Sequence, residues 1–580
     1  MTWHDPALAF AFGDHLFAEG VERHSQCKRA LQVEGVWYSW RALRTALGQI
    51  AGDGLDELAV TSLIPWSTEV RSEAFDLEHA AQRPLACLIK AASLLEPITI
   101  HQLRWALRGH PPRPFGAPAK PSPGLLPETV RSWQARALVH QLAHAANAVY
   151  TSPFEECAVM VLDGYSENTA LSFYHFHDGD FELLHQARPE VSLGLLYASV
   201  TQLCGFDPYA GEEWKVMGLA AFGRRRPAIY DFFRSRLVVR GLDLTYRGPA
   251  GGLAFDRGAW EELAELTGGF RLPNDPDVLV AADLAHSFQA AFADTVLELA
   301  RHLGELGVSD NLAYSGGCAL NSALNGRILP ETPFERLHVP SAPGDDGNAL
   351  GVVLYEKHAV RGEPRTTAAA SPYLGSRMST EHLERVIELG RWPAQHAADE
   401  TELVERVAAE LAAGKIVGWV QGRAEFGPRA LGNRSILADP RDPRMKDRIN
   451  AAVKFREFYR PLAPAILAEH GPRYFEDYQE SPYMERTLRF RPEMRDEVPA
   501  VVHRDGTGRL QTVREELNPR FHRLIDCFHR KTGVPILLNT SLNVMGKPIV
   551  HSVEDAVTVF ATTGLDLLVI EDFILTKDRP

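Results

Sequence analysis

Residues 136–150 read RALVHQLAHAANAVY, and residues 157–167 read CAVMVLDGYSE. The first stretch is helical in composition and sets His140 and His144 four apart. That spacing puts both imidazoles on one helix face, one turn from each other, where they can hold a single ion. The second is an apolar, strand-like run that delivers Asp163 at its end. A zinc-protease motif would need Glu directly after the first His, and that place is taken by Gln141. The pattern therefore carries no general base and points to an ion that holds a ligand rather than one that splits a peptide.

Working outward, LAFAF and LFAEGV flank Gly13-Asp14, and ALSFYHF and FELLHQA flank Asp178-Gly179-Asp180. Both read as β-hairpins around a Gly/Asp turn. The recurrence suggests two related lobes, the arrangement of actin-like ATPases and sugar kinases, which bind nucleotide between their lobes. The Pro-rich stretch GHPPRPFGAPAKPSPG (109–124) reads as an exposed loop. NLAYSGGCALNSALNGRI (311–328) runs a strand to Ser315, a tight Gly316-Gly317 turn and a helix starting near Ala319. Glycines there allow close backbone approach to a nucleotide, and Asn321 can bond ribose or base. Asp345 and Asp346 sit in a Gly-bracketed loop before the next helix. One of them is expected to cap that helix and the other, Asp346, to bind a metal or phosphate-linked cation. With His140, His144 and Asp163 this makes a mixed nitrogen and oxygen donor set suited to Fe(II), Zn(II) or Mn(II).

RGEPRTTAAASPY (361–373) has the composition of a linker, and a second domain is expected to begin close to it. There LVERVAAELAAGKIVGWV predicts a helix ending at Gly414, then a strand. Residues 421–460 hold ten Lys/Arg against five Asp/Glu, a local +5 within a chain of net charge −14. Arg441, Arg444, Lys446 and Arg448 read as a solvated face. Arg429, Arg434, Lys454 and Arg460 stand beside Gly, Pro, Asn or aromatic residues and read as a pocket for phosphate oxygens. Arg509 is a further candidate, and the strand before Asn539-Thr540-Ser541 leads small polar groups toward an anion or carbonyl.

The bounds are consistent with an enzyme. At 580 residues the chain is too long for one core, and its 45% hydrophobic and 23% charged composition is that of a globular protein. No run is long and apolar enough to span a membrane, no signal peptide is read at the N-terminus, and the expected location is cytoplasmic. Net charge of −14 argues against nucleic acid or anionic membrane as partner. The six scattered cysteines form no C-x-x-C pair, which excludes a cysteine zinc site and suits reduced thiols. The chain also lacks a P-loop.

In order along the chain, HDPA, ERHS, HQLAHA, LDGYSE, GEEWKVMGLAAFG, YSGGCALN, PGDDGNALG, EFGPRALGNRSILADPR, KFREFYRPLAPAIL and LLNTSLNVMGKPI resemble the ATP-dependent O-carbamoyltransferases of antibiotic and nodulation-factor biosynthesis. The resemblance implies an α/β protein with an actin-like, two-lobed domain (1–362) and a YrdC-like α/β domain (373–580). It implies that carbamoyl phosphate and ATP form carbamoyl-adenylate in the second domain, and that the first passes the carbamoyl group to a hydroxyl of a small-molecule natural product. By motif, His140, His144, Asp163 and Asp346 resemble the metal ligands, iron in the family. Gly316, Gly317 and Asn321, with Asp346, resemble the nucleotide site. Arg429, Lys454, Arg460, Arg509, Asn539 and Ser541 resemble the carbamoyl phosphate and ATP site, the first three as catalytic groups. His4 resembles a position near the acceptor hydroxyl, where a neutral imidazole could take the proton; only Met-Thr-Trp precede it, where the family has an apolar strand. Lys215 is a lesser candidate. A homodimer is plausible by analogy. Two competing readings are a tRNA threonylcarbamoylation enzyme, disfavoured by the acidic charge, and a nucleotide-regulated actin-like binding protein, which leaves the basic segment idle. A hydrogenase-maturation role would bring paired cysteines, absent here.

Overall fold

The computed structural model describes residues 7–12, 15–20, 22–23, 26, 58–64 and 130–577, the last with breaks at 167–168, 188–190, 248–254, 367, 369 and 458. His4 and the Pro-rich stretch 109–124 lie outside the described residues. Strands β1 (Ala7–Phe12) and β2 (His15–Gly20) form the expected hairpin, with Phe12 opposite His15. Strands β3 (Leu58–Ile64) and β4 (Val130–Ala137) make a parallel pair.

Helix α1 (His140–Thr151) leads into β5 (Cys157–Leu162), the centre of a five-stranded sheet. On one side lie β6 (Leu171–His177) and β7 (Asp180–Gln186), antiparallel, the second hairpin read from the sequence. A small hairpin, β8 (Leu237–Arg240) with β9 (Asp243–Tyr246), forms its own two-stranded sheet and adds Leu237 and Leu244 to the core. On the other side of β5, β10 (Asn311–Ser315) and β11 (Arg336–His338) run parallel to it. Every residue of β5 is buried because both sheet faces are covered, which is why its sequence is uniformly apolar. Ala158, Met160 and Leu162 join the core built on Phe288 and Phe292 of helix α2 (Ala282–Glu305). Cys157, Val159 and Val161 face the other way, against Ala145, Ala148 and Val149 of α1. Helix α3 (Ser322–Glu331) follows the glycine turn, and α4 (Asp345–Tyr355) packs on α1. That approach is close: a Cβ on Gly351 would lie 2.0 Å from the carbonyl oxygen of Ala143.

The C-terminal region carries a nine-stranded mixed sheet in the order β12-β20-β19-β13-β14-β18-β15-β17-β16. Its strands are β12 (Ala394–His396), β13 (Val417–Val420), β14 (Arg434–Ala438), β15 (Ala463–Leu467), β16 (Arg486–Arg489), β17 (Thr507–Val513), β18 (Ile536–Ser541), β19 (Leu567–Ile570) and β20 (Phe573–Thr576). The helix Glu400–Ala412 ahead of β13 agrees with the sequence reading. Trp419 and Phe521 are among the apolar side chains that fill the core beneath the sheet.

Two sets of contacts join the sheets. Asn325 Nδ2 in α3 donates to the carbonyls of Ala319 and Glu485, each at 2.8 Å, and Thr487 Oγ1 donates to Ser322 Oγ at 3.0 Å. The stretch with linker composition is also pinned. Arg365 donates to the carbonyls of Val149 and Ser152, while Tyr373 Oη donates to the carbonyl of Leu431 at 2.9 Å. Among the described residues no helix is long and apolar enough to cross a membrane.

Candidate active site

A cleft of about 3110 Å³ opens between the two regions. Its N-terminal wall begins where β5 ends. Gly316, at φ +93°, follows β10 in a conformation that favours glycine, and a Cβ there would meet the carbonyl oxygen of Leu162 at 2.2 Å. The resulting contact brings the Gly317 N–H to Asp163 Oδ1 at 2.9 Å, which aims the other carboxylate oxygen at α1. Asp163 Oδ2 lies 3.2 Å from His140 Nε2 and 3.6 Å from His144 Nε2. The two Nε2 atoms are 3.2 Å apart.

The fourth donor is Asp345, where Asp346 was expected. Asp345 Oδ1 sits 3.3 Å from His140 Nε2 and 3.4 Å from His144 Nε2. Asp346 Oδ1 instead accepts from the Gly347 N–H at 3.0 Å, outside the cluster, although Asp346 still lines the cleft. Both residues occupy the first turn of α4, and its docking through Gly347 and Gly351 decides which one faces α1. Asn348, one turn on, reaches His144 Nε2 with Nδ2 at 3.2 Å, while its Oδ1 has no partner. Exchanging the two amide atoms would turn that oxygen toward the cluster. The sequence reading missed Asn348, although its i+3 offset from Asp345 places it on the same helix face.

These donors fit a divalent cation. Ligands about 2.0–2.2 Å from a tetrahedral ion stand roughly 3.4 Å from one another, which is the spacing seen. Burial opposes charging of His140, yet Asp345 and Asp163 together hold its pKa up to about 10. His144 is raised against the same burial cost, first by Asp163. Burial also works against Asp163 and Asp345, yet the imidazoles hold both carboxyls down, Asp163 well below the usual range. Two carboxylates in apposition thus require positive charge between them, supplied by protons or by a metal.

The opposite wall is cationic. Arg429, Arg456, Arg460 and Arg509 converge closely enough that the first three add to burial in holding the Arg509 pKa well below the usual guanidinium range. Burial lowers Arg429 to about 10, and burial followed by Arg460 lowers Arg456 to about 9. Arg429 and Arg509 have no side-chain hydrogen bond or ion pair among the described residues. Arg460 stacks 3.9 Å from the Trp214 ring and lies 3.5 Å from Glu457. Four guanidiniums with so little counter-charge form an anion cage. Arg456 was missed by the sequence reading, although it stands two residues after Lys454 in the same basic motif.

Glu425, also missed, builds the loop that bears Arg429. It is fully buried, and its Oε1 accepts from the backbone N–H groups of Leu431, Asn433 and Arg434. Arg434, expected in the pocket, is a buried staple that donates to the carbonyls of Gln421, Asn433, Ser376 and Gly422. Lys446, read as solvated, lines the cleft, whereas Arg441, Arg444 and Arg448 form partly exposed ion pairs as expected.

Lys454 and Ser541 both line the cleft. Lys454 Nζ donates to the Ser541 carbonyl at 2.7 Å, to Ser541 Oγ at 3.1 Å and to the Asn543 carbonyl at 3.0 Å, and it also touches Asn543 Oδ1. Asn539 does not line the cleft. It is fully buried, donating to Gln511 Oε1 and the Ala430 carbonyl behind the arginine loop. Asn321 lines the cleft, but its amide pairs with Gln289 and caps α3 through the Leu324 N–H. Lys215 bridges the cleft, with Nζ 2.5 Å from Glu212 and 3.2 Å from Glu457.

Two family models match the chain. Residues 129–354 match the model of the carbamoyltransferase N-terminus, and residues 408–577 match that of the carbamoyltransferase C-terminus. The chain is 38% identical to nodulation protein NolNO of Sinorhizobium fredii, over 76% of this chain and 63% of that protein. It is 37% identical to nodulation protein NolO of Bradyrhizobium diazoefficiens, over 76% and 79%. It is 31% identical to the 3'-hydroxymethylcephem-O-carbamoyltransferase of Amycolatopsis lactamdurans, over 75% and 79%. The chain belongs to the carbamoyltransferase family.

Proposed function

We propose that this protein is an ATP-dependent O-carbamoyltransferase that modifies a hydroxyl of a small-molecule natural product. The observation that carries the reading is the shared cleft. One wall presents the guanidinium cage of Arg429, Arg456, Arg460 and Arg509, and the other presents Asp163 and Asp345 backed by two imidazoles. A phosphate-rich activation step and a cation-assisted transfer step can therefore use one enclosed space. The named relatives, a cephem carbamoyltransferase and nodulation proteins, support a natural-product acceptor.

In this reading the arginine cage binds carbamoyl phosphate and the ATP phosphates. Mass balance requires one water: carbamoyl phosphate yields carbamate and inorganic phosphate, and a carbamate oxygen then attacks the α-phosphorus of ATP and displaces pyrophosphate. The fixed guanidiniums neutralise charge without reorganising, which is where such a pocket lowers a barrier. Arg429 and Arg509 are the natural phosphate ligands because their donors are uncommitted. Lys454 acts through the Ser541–Asn543 turn that it holds. Carbamoyl-adenylate then meets the N-terminal wall. The acceptor oxygen attacks the carbamoyl carbon, its proton passes to solvent, and the bond to AMP breaks with AMP leaving as the phosphate anion. His140, His144, Asp163 and Asp345 would hold a divalent ion, iron in the family, and that ion would supply Lewis acidity for the phosphate side. The actin-like character of the N-terminal domain is supported by its sheet, three antiparallel strands followed by two parallel ones. The YrdC-like character of residues 373–580 rests on the motifs and the basic pocket.

The test is incubation with carbamoyl phosphate, ATP, Fe(II) and a panel of hydroxylated natural products, read by mass spectrometry. The reading predicts replacement of one hydroxyl hydrogen by CONH2, with one AMP formed per transfer. Carbamoylation of bulk tRNA in place of every small acceptor would overturn it.

A further inference from the structure

The hairpin β6–β7 carries a second set of metal donors that the transfer chemistry does not use. Asp178 and Gly179 form its two-residue turn, both with positive φ, 51° and 84°, a geometry matched to the twist of paired strands. The tight turn fixes His175 opposite Glu182, and His177 opposite Asp180. Two residues apart on one strand, His175 and His177 share a face, with ring centroids 4.4 Å apart.

The two histidines have the same arrangement of neighbours. Glu182 Oε2 lies between their near nitrogens, 3.8 Å from His175 Nδ1 and 3.5 Å from His177 Nε2. The far nitrogen of each faces a different carboxylate. His175 Nε2 is 2.8 Å from Glu156 Oε1, and His177 Nδ1 is 3.5 Å from Asp178 Oδ2. At His175 the close Glu156 carboxylate can accept from the Nε2 proton and leave Nδ1 facing Glu182, the arrangement by which proteins orient ligating histidines; the contact of His177 with the exposed Asp178 is looser. Donor atoms of His175, His177 and Glu182 all fall within 4.8 Å of one another. The His175 and His177 side chains are 15% and 38% exposed, so an ion can reach them from solvent.

We propose that His175, His177 and Glu182 bind a divalent ion of the imidazole-seeking class, such as Zn(II) or Ni(II), with water completing its shell. Two imidazoles and one carboxylate favour these ions over Mg(II) and Ca(II), which prefer all-oxygen sites. The ion would tie the edge strand β7 to β6. Glu156 precedes β5 and Asp163 follows it, so about 3.3 Å per residue sets this ion roughly 20 Å from the cleft cluster.

The test is isothermal titration of the metal-stripped full-length chain, without an affinity tag, with Zn(II). H175A/H177A should bind one equivalent fewer than the wild-type chain while still melting in a single cooperative transition. E156Q should keep the stoichiometry and bind that equivalent about 10- to 100-fold more weakly, the usual cost of losing an orienting carboxylate. Zn(II) should raise the melting temperature of the wild type more than that of H175A/H177A. Equal stoichiometry in the wild type and H175A/H177A would overturn the proposal, as would equal saturation by Mg(II).

Discussion

Replacing Arg509 with methionine should make the ligand-free protein more stable and its anion binding weaker. The reason lies in the cage. Arg509 is buried beside Arg429, Arg456 and Arg460, which together press its charge toward deprotonation. Two unit charges about 7 Å apart repel by roughly 2 kcal/mol at an effective dielectric constant near 20. Methionine keeps most of the apolar stem and removes the charge, so after some loss of packing a gain of about 1 kcal/mol remains. For a domain of this size that is a rise of about 2–4 °C in melting temperature. With a phosphate bound the sign reverses. The lost charge-assisted hydrogen bonds are worth about 1.5–3 kcal/mol, or roughly 10- to 150-fold in carbamoyl phosphate affinity. The assay is paired thermal melts with and without carbamoyl phosphate, together with its KM. A variant that melts lower without ligand and keeps the wild-type KM would refute the cage argument.

Other outcomes follow from the same geometry. D345N should lose at least about 100-fold in Fe(II) affinity, beyond the 10- to 100-fold typical of outer-shell changes, whereas D346N should stay within a few fold; metal analysis after dialysis distinguishes them, and the reverse order would restore Asp346 as the ligand. Without metal, His140 is held up to about 10, so its contribution to stability is complete below its ordinary value of about 6.5 and fades as pH climbs through about 10. The depressed Asp163 and Asp345 contribute above about 4, and that part is lost on acidification. A metal must displace the imidazole protons, so Fe(II) added anaerobically at pH 8 should release protons and bind more tightly as pH rises toward 10, as unbuffered titration would show. E425A strands three buried N–H groups and should cost about 3 kcal/mol, at roughly 1 kcal/mol each. E425Q, which keeps an acceptor oxygen, should lose less in a denaturant melt.

The hairpins, the α1 histidine pair and the strand delivering Asp163 were legible because each depends on local periodicity or turn chemistry. The choice between Asp345 and Asp346 was not. Both suit the first turn of a helix, and only the close docking of α4 on α1 selects between them. Asn539 and Ser541 look alike in sequence, two polar residues near the end of a strand. At Asn539, β18 is flanked by both β14 and β15, whereas at Ser541 it has run past β15 and opens on the cleft. Arg434 and Arg429 have equally basic surroundings. One turns inward onto four carbonyls, and the other is held at the cleft by a loop wound around Glu425. Charge patterning finds the basic segment but cannot assign inside and outside when the chain around it is irregular.

The central claim is that acyl activation and acyl delivery occur at separate walls of one cleft. It is tested most directly by measuring ATP–pyrophosphate exchange and acceptor carbamoylation side by side in R509M and H140A. The account predicts that R509M is deficient in both, while H140A retains exchange and fails only in delivery. Carbamoylation that proceeds undiminished in the absence of ATP would contradict it.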